Sequence, residues 1–180
     1  IGEEGQKKLQ EAKVLIVGVG GLGSPIALYL AGAGVGCIGL VDDDVVSISN
    51  LQRQVLYSEK ELGKPKAICA AERLSALNSE TTSQPYPTRL TEENAQEIIS
   101  QYDIVVDGCD NFPTRYLIND ICAKTGKVYV YGANGSLMVS SSVAIEGNGL
   151  CTLDLSAFEN GSYNVTVELG NIIYWGMFDI

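Results

Sequence analysis

The 180-residue sequence contains no histidine. Histidine provides the general base of Ser-His-Asp and Cys-His arrangements and a ligand in many zinc sites, so the chain supplies none of these from its own residues. Its five cysteines include no Cys-x-x-Cys pair, which argues against a zinc site in this chain and against a disulfide framework. Reduced thiols and a polar first segment without a signal-peptide pattern predict a cytoplasmic protein.

Positive charge is also scarce, because Lys and Arg number 12 against 22 Asp and Glu, for a net charge of −10. Such an acidic surface argues against general binding to nucleic acids or to anionic membranes. The stretch from Val14 to Val41 carries no charged residue and is long enough to span a bilayer. Its glycine cluster divides it into strand, loop and helix, so we expect no membrane segment.

Apolar runs and amphipathic segments alternate along most of the chain. The predicted strands are Lys13–Val17, Cys37–Val41, Asp103–Asp107 and Lys127–Tyr131, and helices are predicted over about Gly21–Gly34, from Lys64 onward and over Pro113–Lys124. The expected buried stripe of the first helix consists of Leu22, Ile26, Leu30 and Ala33. This alternation predicts an α/β fold, a Rossmann-like and mostly parallel sheet flanked by helices.

The pattern changes near residue 134. Residues 134–180 are rich in Ser, Gly, Asn and β-branched residues and contain alternating stretches at 163–169 and 171–175. We expect residues 1–133 to form the α/β domain and residues 134–180 to be a β-rich continuation of it, made of short antiparallel strands.

A G-x-G-x-x-G pattern follows the first predicted strand and opens the first predicted helix. Gly18 permits a tight turn, and Gly23 allows the helix to pack closely against the strand. Gly20 and Gly21 let a phosphate approach the backbone. Asp42, at the end of the next strand, can accept hydrogen bonds from ribose hydroxyls. These residues predict a nucleotide site that fits ATP or the cofactor of an NAD-dependent dehydrogenase.

Polar and cationic side chains follow the expected ribose carboxylate. Asn50, Arg53 and Lys66 lie in or after the next loop. Arg can grip phosphate oxygens with a planar fork, and Lys adds a point charge. In so acidic a chain these cations favour a triphosphate, although Arg53 could instead pair with a local acid and Lys66 could be solvated.

Acidic residues follow the third predicted strand. We expect Asp110 to lie beside the predicted nucleotide site, and a carboxylate beside a triphosphate most naturally binds Mg²⁺. Asp107 is an alternative ligand, and spacing does not choose between the two. Asn111 can cap the next helix, whose first turn contains Pro113.

Five motifs in this order resemble those of the ThiF/MoeB family, bacterial relatives of the ubiquitin-activating enzymes. They are Gly-Val-Gly-Gly-Leu-Gly at 18–23, Asp42-Asp43-Asp44, Ser49-Asn50-Leu51-Gln52-Arg53-Gln54, Gly63-Lys64-Pro65-Lys66 and Asp110-Asn111-Phe112-Pro113-Thr114-Arg115. The resemblance covers roughly residues 1–133.

The resemblance implies an adenylyltransferase that binds MgATP and the Gly-Gly tail of a ubiquitin-like sulfur carrier such as ThiS or MoaD. The carrier carboxylate attacks the α-phosphate and gives an acyl-adenylate and pyrophosphate, for thiamin or molybdopterin biosynthesis. Arg53 and Lys66 would stabilise phosphate charge, Asp110 would hold Mg²⁺, Asp42 would bind ribose, and Asn50 would contact ATP. A carboxylate is already nucleophilic at neutral pH, so the absence of histidine is no obstacle.

The resemblance also implies partners. A homodimer is expected, in which an arginine from a segment before Ile1 reaches the other subunit's ATP. A sulfurtransferase or cysteine desulfurase would then supply sulfur for the thiocarboxylate. Alternatives are a superfamily member that adenylates a peptide or a tRNA base, an NAD-dependent dehydrogenase, and a nucleotide-binding module without catalysis. Residues 134–180 depart from the family pattern, as a truncated or discontinuous chain would.

Overall fold

A computed structural model of the chain describes residues 2–133, 136–140, 162–169 and 172–179. The helices are α1 Gly2–Glu11, α2 Gly23–Ala33, α3 Lys66–Leu77, α4 Ala95–Ser100 and α5 Phe112–Thr125. The strands are β1 Lys13–Val17, β2 Cys37–Val41, β3 Thr82–Tyr86, β4 Ile104–Asp107, β5 Val128–Ala133, β6 Ser136–Ser140, β7 Ser162–Leu169 and β8 Ile172–Asp179. Two 3₁₀ turns, Ile48–Asn50 and Glu59–Glu61, lie in the loop between β2 and α3.

The chain divides into two units, Ile1–Ser142 and Val143–Ile180. The first contains a sheet in the order β3-β2-β1-β4-β5-β6, in which β6 alone of these strands runs antiparallel to its neighbour. The order of its parallel strands is that of a Rossmann fold, as predicted. In the second unit, β7 and β8 form an antiparallel pair, in agreement with the predicted strand type.

The central strand β1 is buried on both faces of the sheet. Val14 and Ile16 pack on one side with residues of α2 and α3, and Leu15 and Val17 pack on the other with residues of α4 and α5. A continuous apolar strand is what such a two-sided position requires. The helices therefore cover both faces and leave the ends of the strands as the place where loops meet.

The buried face of helix α2 agrees only in part with the predicted one. Its buried residues are Gly23, Ser24, Ala27 and Ala31, whereas Leu22, predicted to lie inside, is 59% exposed. Of the predicted stripe, Ile26 and Leu30 are partly buried against the core, whereas Leu22 and Ala33 are exposed. The reason is the close approach of the helix start to the end of β1, since a Cβ on Gly23 would collide with the Gly18 carbonyl oxygen. Small residues suit a helix held this close to the sheet.

Two elements of the structure, α1 and β3, were not predicted from the sequence. Helix α1 has no buried residue, and β3 contains Pro85 and no apolar run. Strand β3 lies at the edge of the sheet, where a proline is tolerated because one side of the strand needs no partner.

The uncharged stretch from Val14 to Val41 is divided among β1, α2 and β2. Among the residues that the structure describes, we find no helix with the length and apolar character needed to cross a membrane.

Candidate functional site

The carboxyl ends of β1, β2 and β4 lie level with one another. Val17 pairs with Val41 on one side and with Asp107 on the other. The Gly18 amide donates to the Val41 carbonyl at 2.7 Å, and the Gly108 amide donates to the Val17 carbonyl at 2.8 Å. The strand order reverses between β1 and β4, which is where sheets of this type bind ligands. The loops after β1, β2 and β4 carry the glycine motif, Asp42 and Asp110.

The glycine loop packs backbone to backbone against the loop after β4. Gly18 has a φ of +87°, and a Cβ on it would lie 2.8 Å from the Gly108 carbonyl carbon. A Cβ on Gly23 would collide with the Gly18 carbonyl oxygen. Neither position can hold a side chain without moving the backbone, so these glycines bring the two loops into contact.

Asp42 ties the glycine loop to the acidic loop after β2. Its Oδ2 accepts from the Val19 amide and its Oδ1 accepts from the Asp44 amide, both at 2.9 Å. Burial raises the pKa of Asp42, while these two hydrogen bonds act in the opposite direction. Each carboxylate oxygen retains a lone pair that can accept from a ribose hydroxyl. The Asp42 carboxylate, predicted to bind ribose, is therefore fixed in orientation next to the glycine loop.

Tyr57 supports the same loop from beneath. Its hydroxyl donates to the Val19 carbonyl at 2.9 Å, and the Ser24 hydroxyl donates to the same oxygen at 3.2 Å. Burial raises the pKa of Tyr57, so the phenol stays protonated and remains a donor. Tyr57 was not predicted as a site residue.

Arg53 and Gln54 face the two middle glycines of the loop. A Cβ on Gly21 would lie 3.5 Å from Arg53 Cδ, and a Cβ on Gly20 would lie 3.4 Å from Gln54 Nε2. The 3₁₀ turn makes this possible, because the Asn50 carbonyl accepts from the amides of both Arg53 and Gln54. Asn50 thus organises the turn through its backbone, and its side chain is half-buried.

The guanidinium of Arg53 keeps its charge available. The Arg53 side chain donates a hydrogen bond from Nη1 to the Ser49 carbonyl at 3.4 Å. Within residues 2–131 it forms no ion pair. The alternative, an ion pair between Arg53 and a local acid, is therefore not formed among these residues. The site therefore has an exposed cation beside Gly21, the position where a phosphate group needs one.

Lys66 lies at the start of α3 and is paired with an acid. Its Nζ is 2.8 Å from Asp44 Oδ2, and its side chain is only 5% exposed against 71% for Asp44. The alternative of a solvated lysine is therefore incorrect. Because the Asp44 carboxylate is largely exposed, a bound phosphate could compete with it for the Lys66 ammonium.

Two acidic residues near the end of β4 have opposite environments. The Asp107 side chain is fully buried, with its Oδ2 accepting from the Tyr129 hydroxyl at 2.8 Å and its Oδ1 accepting from the Cys109 amide. Arg115 Nε lies 3.1 Å from Asp107 Oδ2, but its N–H does not point at that oxygen, so the pair is held by charge alone. Asp110 is exposed. Of the two candidate metal ligands, only Asp110 is free to reach a ligand in the crevice.

Asn111 takes the structural role that was considered for it. Its Oδ1 accepts from the Thr114 amide at 3.0 Å and caps α5, with Pro113 in the first turn. The cap fixes the chain immediately after Asp110.

The donor set fits Mg²⁺ only when a nucleotide supplies further ligands. Among the described residues no three His, Cys, Asp or Glu side chains converge on a point that could hold a metal. Mg²⁺ is commonly bound through one or two carboxylates together with substrate phosphates and water. An exposed single carboxylate such as Asp110 matches that kind of site.

The thiol nearest the site is unreactive. Burial, assisted by a hydrogen bond with the Asp107 carboxylate, raises the pKa of Cys109 to about 12, and burial raises the pKa of Cys122 to about 11. Both thiols are protonated at neutral pH and are poor nucleophiles. Cys151 lies outside the described residues.

The comparison with known families decides the assignment that this geometry suggests. The model of the ThiF family matches residues 1–171. The chain belongs to the ThiF family. It is 54% identical over 133 residues to the sulfur carrier protein adenylyltransferase of Thermus thermophilus, with 74% of this chain and 49% of that protein covered.

A second relative and a solved structure match a similar part of the chain. The chain is 45% identical over 159 residues to the probable adenylyltransferase/sulfurtransferase MoeZ of Mycobacterium tuberculosis, with coverage of 86% and 41%. Among solved structures, MccB of E. coli with ATP superposes with a TM-score of 0.66 at 33% identity, over 70% of this chain and 38% of that one. The chain thus spans about half, or less, of the length of the relatives it matches.

Proposed function

We propose that this ThiF-family chain is an ATP-dependent adenylyltransferase for the carboxyl terminus of a small ubiquitin-like sulfur carrier of the ThiS or MoaD type. The observation that carries the proposal is the position of Arg53 against Gly21, which puts a free cation over a glycine loop built for phosphate. The name of the Thermus relative, a sulfur carrier protein adenylyltransferase, supports the choice of substrate.

The reaction needs charge stabilisation and positioning and no proton transfer. A carboxylate oxygen of the carrier tail attacks the α-phosphorus, a new C–O–P linkage forms, and the bond from that phosphorus to the oxygen bridging to the β-phosphate breaks. Pyrophosphate leaves with the electron pair of that bond. Because the nucleophile is already ionised, the histidine-free sequence lacks nothing that this chemistry requires.

Each site residue has a defined part in that reaction. Asp42 binds the ribose, Asn50 contacts the nucleotide, and Arg53 and Lys66 stabilise charge on the phosphates. Lys66 would exchange its partner Asp44 for a phosphate oxygen when ATP binds. Asp110 would hold Mg²⁺, which supplies positive charge to the leaving pyrophosphate.

The proposal includes partners and a location. The chain would act in the cytoplasm as a homodimer, and a sulfurtransferase or cysteine desulfurase would convert the adenylate to a thiocarboxylate. The double name of MoeZ, adenylyltransferase/sulfurtransferase, supports the link between adenylation and sulfur transfer. The buried and protonated Cys109 argues against that residue as the sulfur carrier.

ATP–pyrophosphate exchange with Mg²⁺, measured with and without a carrier ending in Gly-Gly, tests the proposal. Carrier-dependent exchange is the expected result, and a ThiS-like and a MoaD-like carrier tested in parallel assign the pathway. Exchange that no carrier stimulates would point to another acyl acceptor. Saturable NADH binding without exchange would instead support a dehydrogenase, and MgATP binding without exchange would support a non-catalytic module.

Replacing Arg53 by Ala should slow carrier adenylation by roughly 100-fold, the usual effect of removing one donor that stabilises transition-state charge. ADP binding should weaken less, because charge on the phosphates grows as the α-phosphorus is attacked. Single-turnover rates and ADP titrations measure the two effects. The control is Arg73→Ala, which removes an exposed arginine from α3. Equal losses in rate and in ADP affinity would restrict Arg53 to ground-state binding.

A further inference from the structure

Gln54 is a buried polar residue with an unsatisfied oxygen. It is 4% exposed, and its Oε1 has no hydrogen-bond partner in the part of the chain that the structure describes. Two other buried polar side chains near the site have partners: Ser24 donates to the Val19 carbonyl, and Lys66 pairs with Asp44. A buried polar group without a partner destabilises a fold, so its presence calls for a reason.

Gln54 Oε1 is an acceptor and cannot itself bind phosphate, but the donor nitrogen of the same amide lies at the glycine loop. That nitrogen, Nε2, borders the space that a side chain on Gly20 would occupy, at 3.4 Å from the Cβ position, and Arg53 borders the same space on Gly21 at 3.5 Å. Two consecutive side chains thus face two consecutive glycines. An amide and a guanidinium therefore lie against the middle of the glycine loop.

The chemistry of an amide suits this place. A phosphate chain in the loop needs donors, and an amide N–H donates without adding charge. A second cation beside Gly20 would be drawn to the carboxylates of the adjacent acidic loop, as Lys66 is drawn to Asp44. A neutral donor has no such competitor and remains directed at the loop.

A purely structural role accounts less well for the same geometry. A glutamine that merely holds the turn together would be expected to use its side-chain oxygen on a nearby backbone amide. Here the turn is closed by backbone bonds alone, with the Gln54 amide donating to the Asn50 carbonyl and the Gln54 carbonyl accepting from Tyr57. The side chain is not needed for the turn and is left with one buried atom unpaired.

We propose that Gln54 is a further ATP-binding residue, whose side-chain amide donates to the phosphate chain where it passes Gly20. The proposal rests on the proposed function, since it requires that the site binds ATP. It assigns the last residue of the 49–54 motif a contact with the substrate, in addition to those of Asn50 and Arg53.

Gln54→Met separates a binding role from a structural one, because Met has a similar size and shape and no polar atom. For a binding residue, thermal melting of the nucleotide-free protein should show a Tm raised by roughly 2–4 °C, the usual shift per unsatisfied polar group removed from a chain of this size. Titration calorimetry should show MgATP affinity reduced about tenfold, as expected for one lost hydrogen bond to a charged group.

A second variant, Gln54→Glu, keeps the size of the side chain and replaces the donor nitrogen with a negatively charged oxygen. It should bind MgATP more weakly than Gln54→Met, because the carboxylate repels phosphate. Gln96→Met, a change on the exposed surface of α4, is the matched control and should alter neither Tm nor affinity.

The outcomes separate this proposal from the one it rests on. If the wild-type protein binds no MgATP, the proposed function fails. If the wild-type protein binds MgATP and Gln54→Met binds it equally well, Gln54 is not a binding residue and only the present inference falls. A Tm lowered by several degrees in Gln54→Met would also overturn it, since the side chain would then stabilise the fold.

Discussion

Asp110→Ala is expected to reduce Mg²⁺-dependent ATP–pyrophosphate exchange by 100-fold or more, in line with roughly 10²–10³ for the loss of one group that stabilises transition-state charge. The reason is the division of labour at the end of β4, where the Asp107 carboxylate is fully engaged and Asp110 is exposed. Without Asp110, the chain lacks the carboxylate that would place the metal beside the phosphates. The Tm should stay within about 1 °C of wild type, because an exposed side chain contributes little to stability.

The matched control for this variant is Asp120→Ala, which removes an exposed carboxylate from α5. It should leave both exchange and Tm unchanged. A titration of Mg²⁺ at saturating ATP adds a second readout, since loss of a metal ligand should raise the Mg²⁺ concentration needed for half-maximal exchange. Exchange that is unchanged in Asp110→Ala would remove Asp110 from the metal site.

The sequence predicts those elements of the fold that depend on a local pattern of apolar residues. Strands β1 and β2 were predicted with the bounds that the structure gives them, because a continuous apolar run between charged or glycine residues has few alternatives. Strand β3 was missed because an edge strand needs no apolar run, and Pro85 reads as a breaker.

The buried face of α2 shows where local pattern fails. Periodicity selects the most apolar stripe, which contains Leu22 and Ile26. The close contact between Gly23 and the Gly18 carbonyl places the small residues Ala27 and Ala31 deepest. Ile26 is only partly buried beside them. The distance between helix and sheet is set by a backbone contact, and hydrophobicity alone does not report it.

The candidate site divides in the same way. The glycine loop, Asp42 and Asp110 were selected as candidates because each lies just after a predicted strand. Tyr57 and the side chain of Gln54 were not found, since their importance lies in contacts with Val19 and Gly20, far away in the sequence. The choice between the two candidate metal ligands likewise required the partners that surround Asp107.

The second large effect is expected for Asp107→Ala, as a loss of stability. Its carboxylate is fully buried beside Arg115, which is 24% exposed, and it also accepts from the Tyr129 hydroxyl and the Cys109 amide. Removing it leaves a poorly solvated guanidinium and two unsatisfied donors, a change that typically costs about 3–5 kcal/mol. For a chain of this size, denaturant unfolding should show that loss, with a Tm lower by roughly 10 °C.

Asp103→Ala, immediately before the same strand, separates the effect of burial from the effect of hydrogen bonding. Asp103 is exposed, yet its Oδ2 also accepts a backbone bond, from the Lys13 amide at 3.0 Å. Because water can replace that bond, the control should lose no more than about 1 kcal/mol. Equal losses at both positions would mean that the buried charge of Arg115 is not the cause. A large loss at Asp107 alone, beside a stable but inactive Asp110→Ala, would establish that carboxylates three residues apart divide folding and chemistry between them.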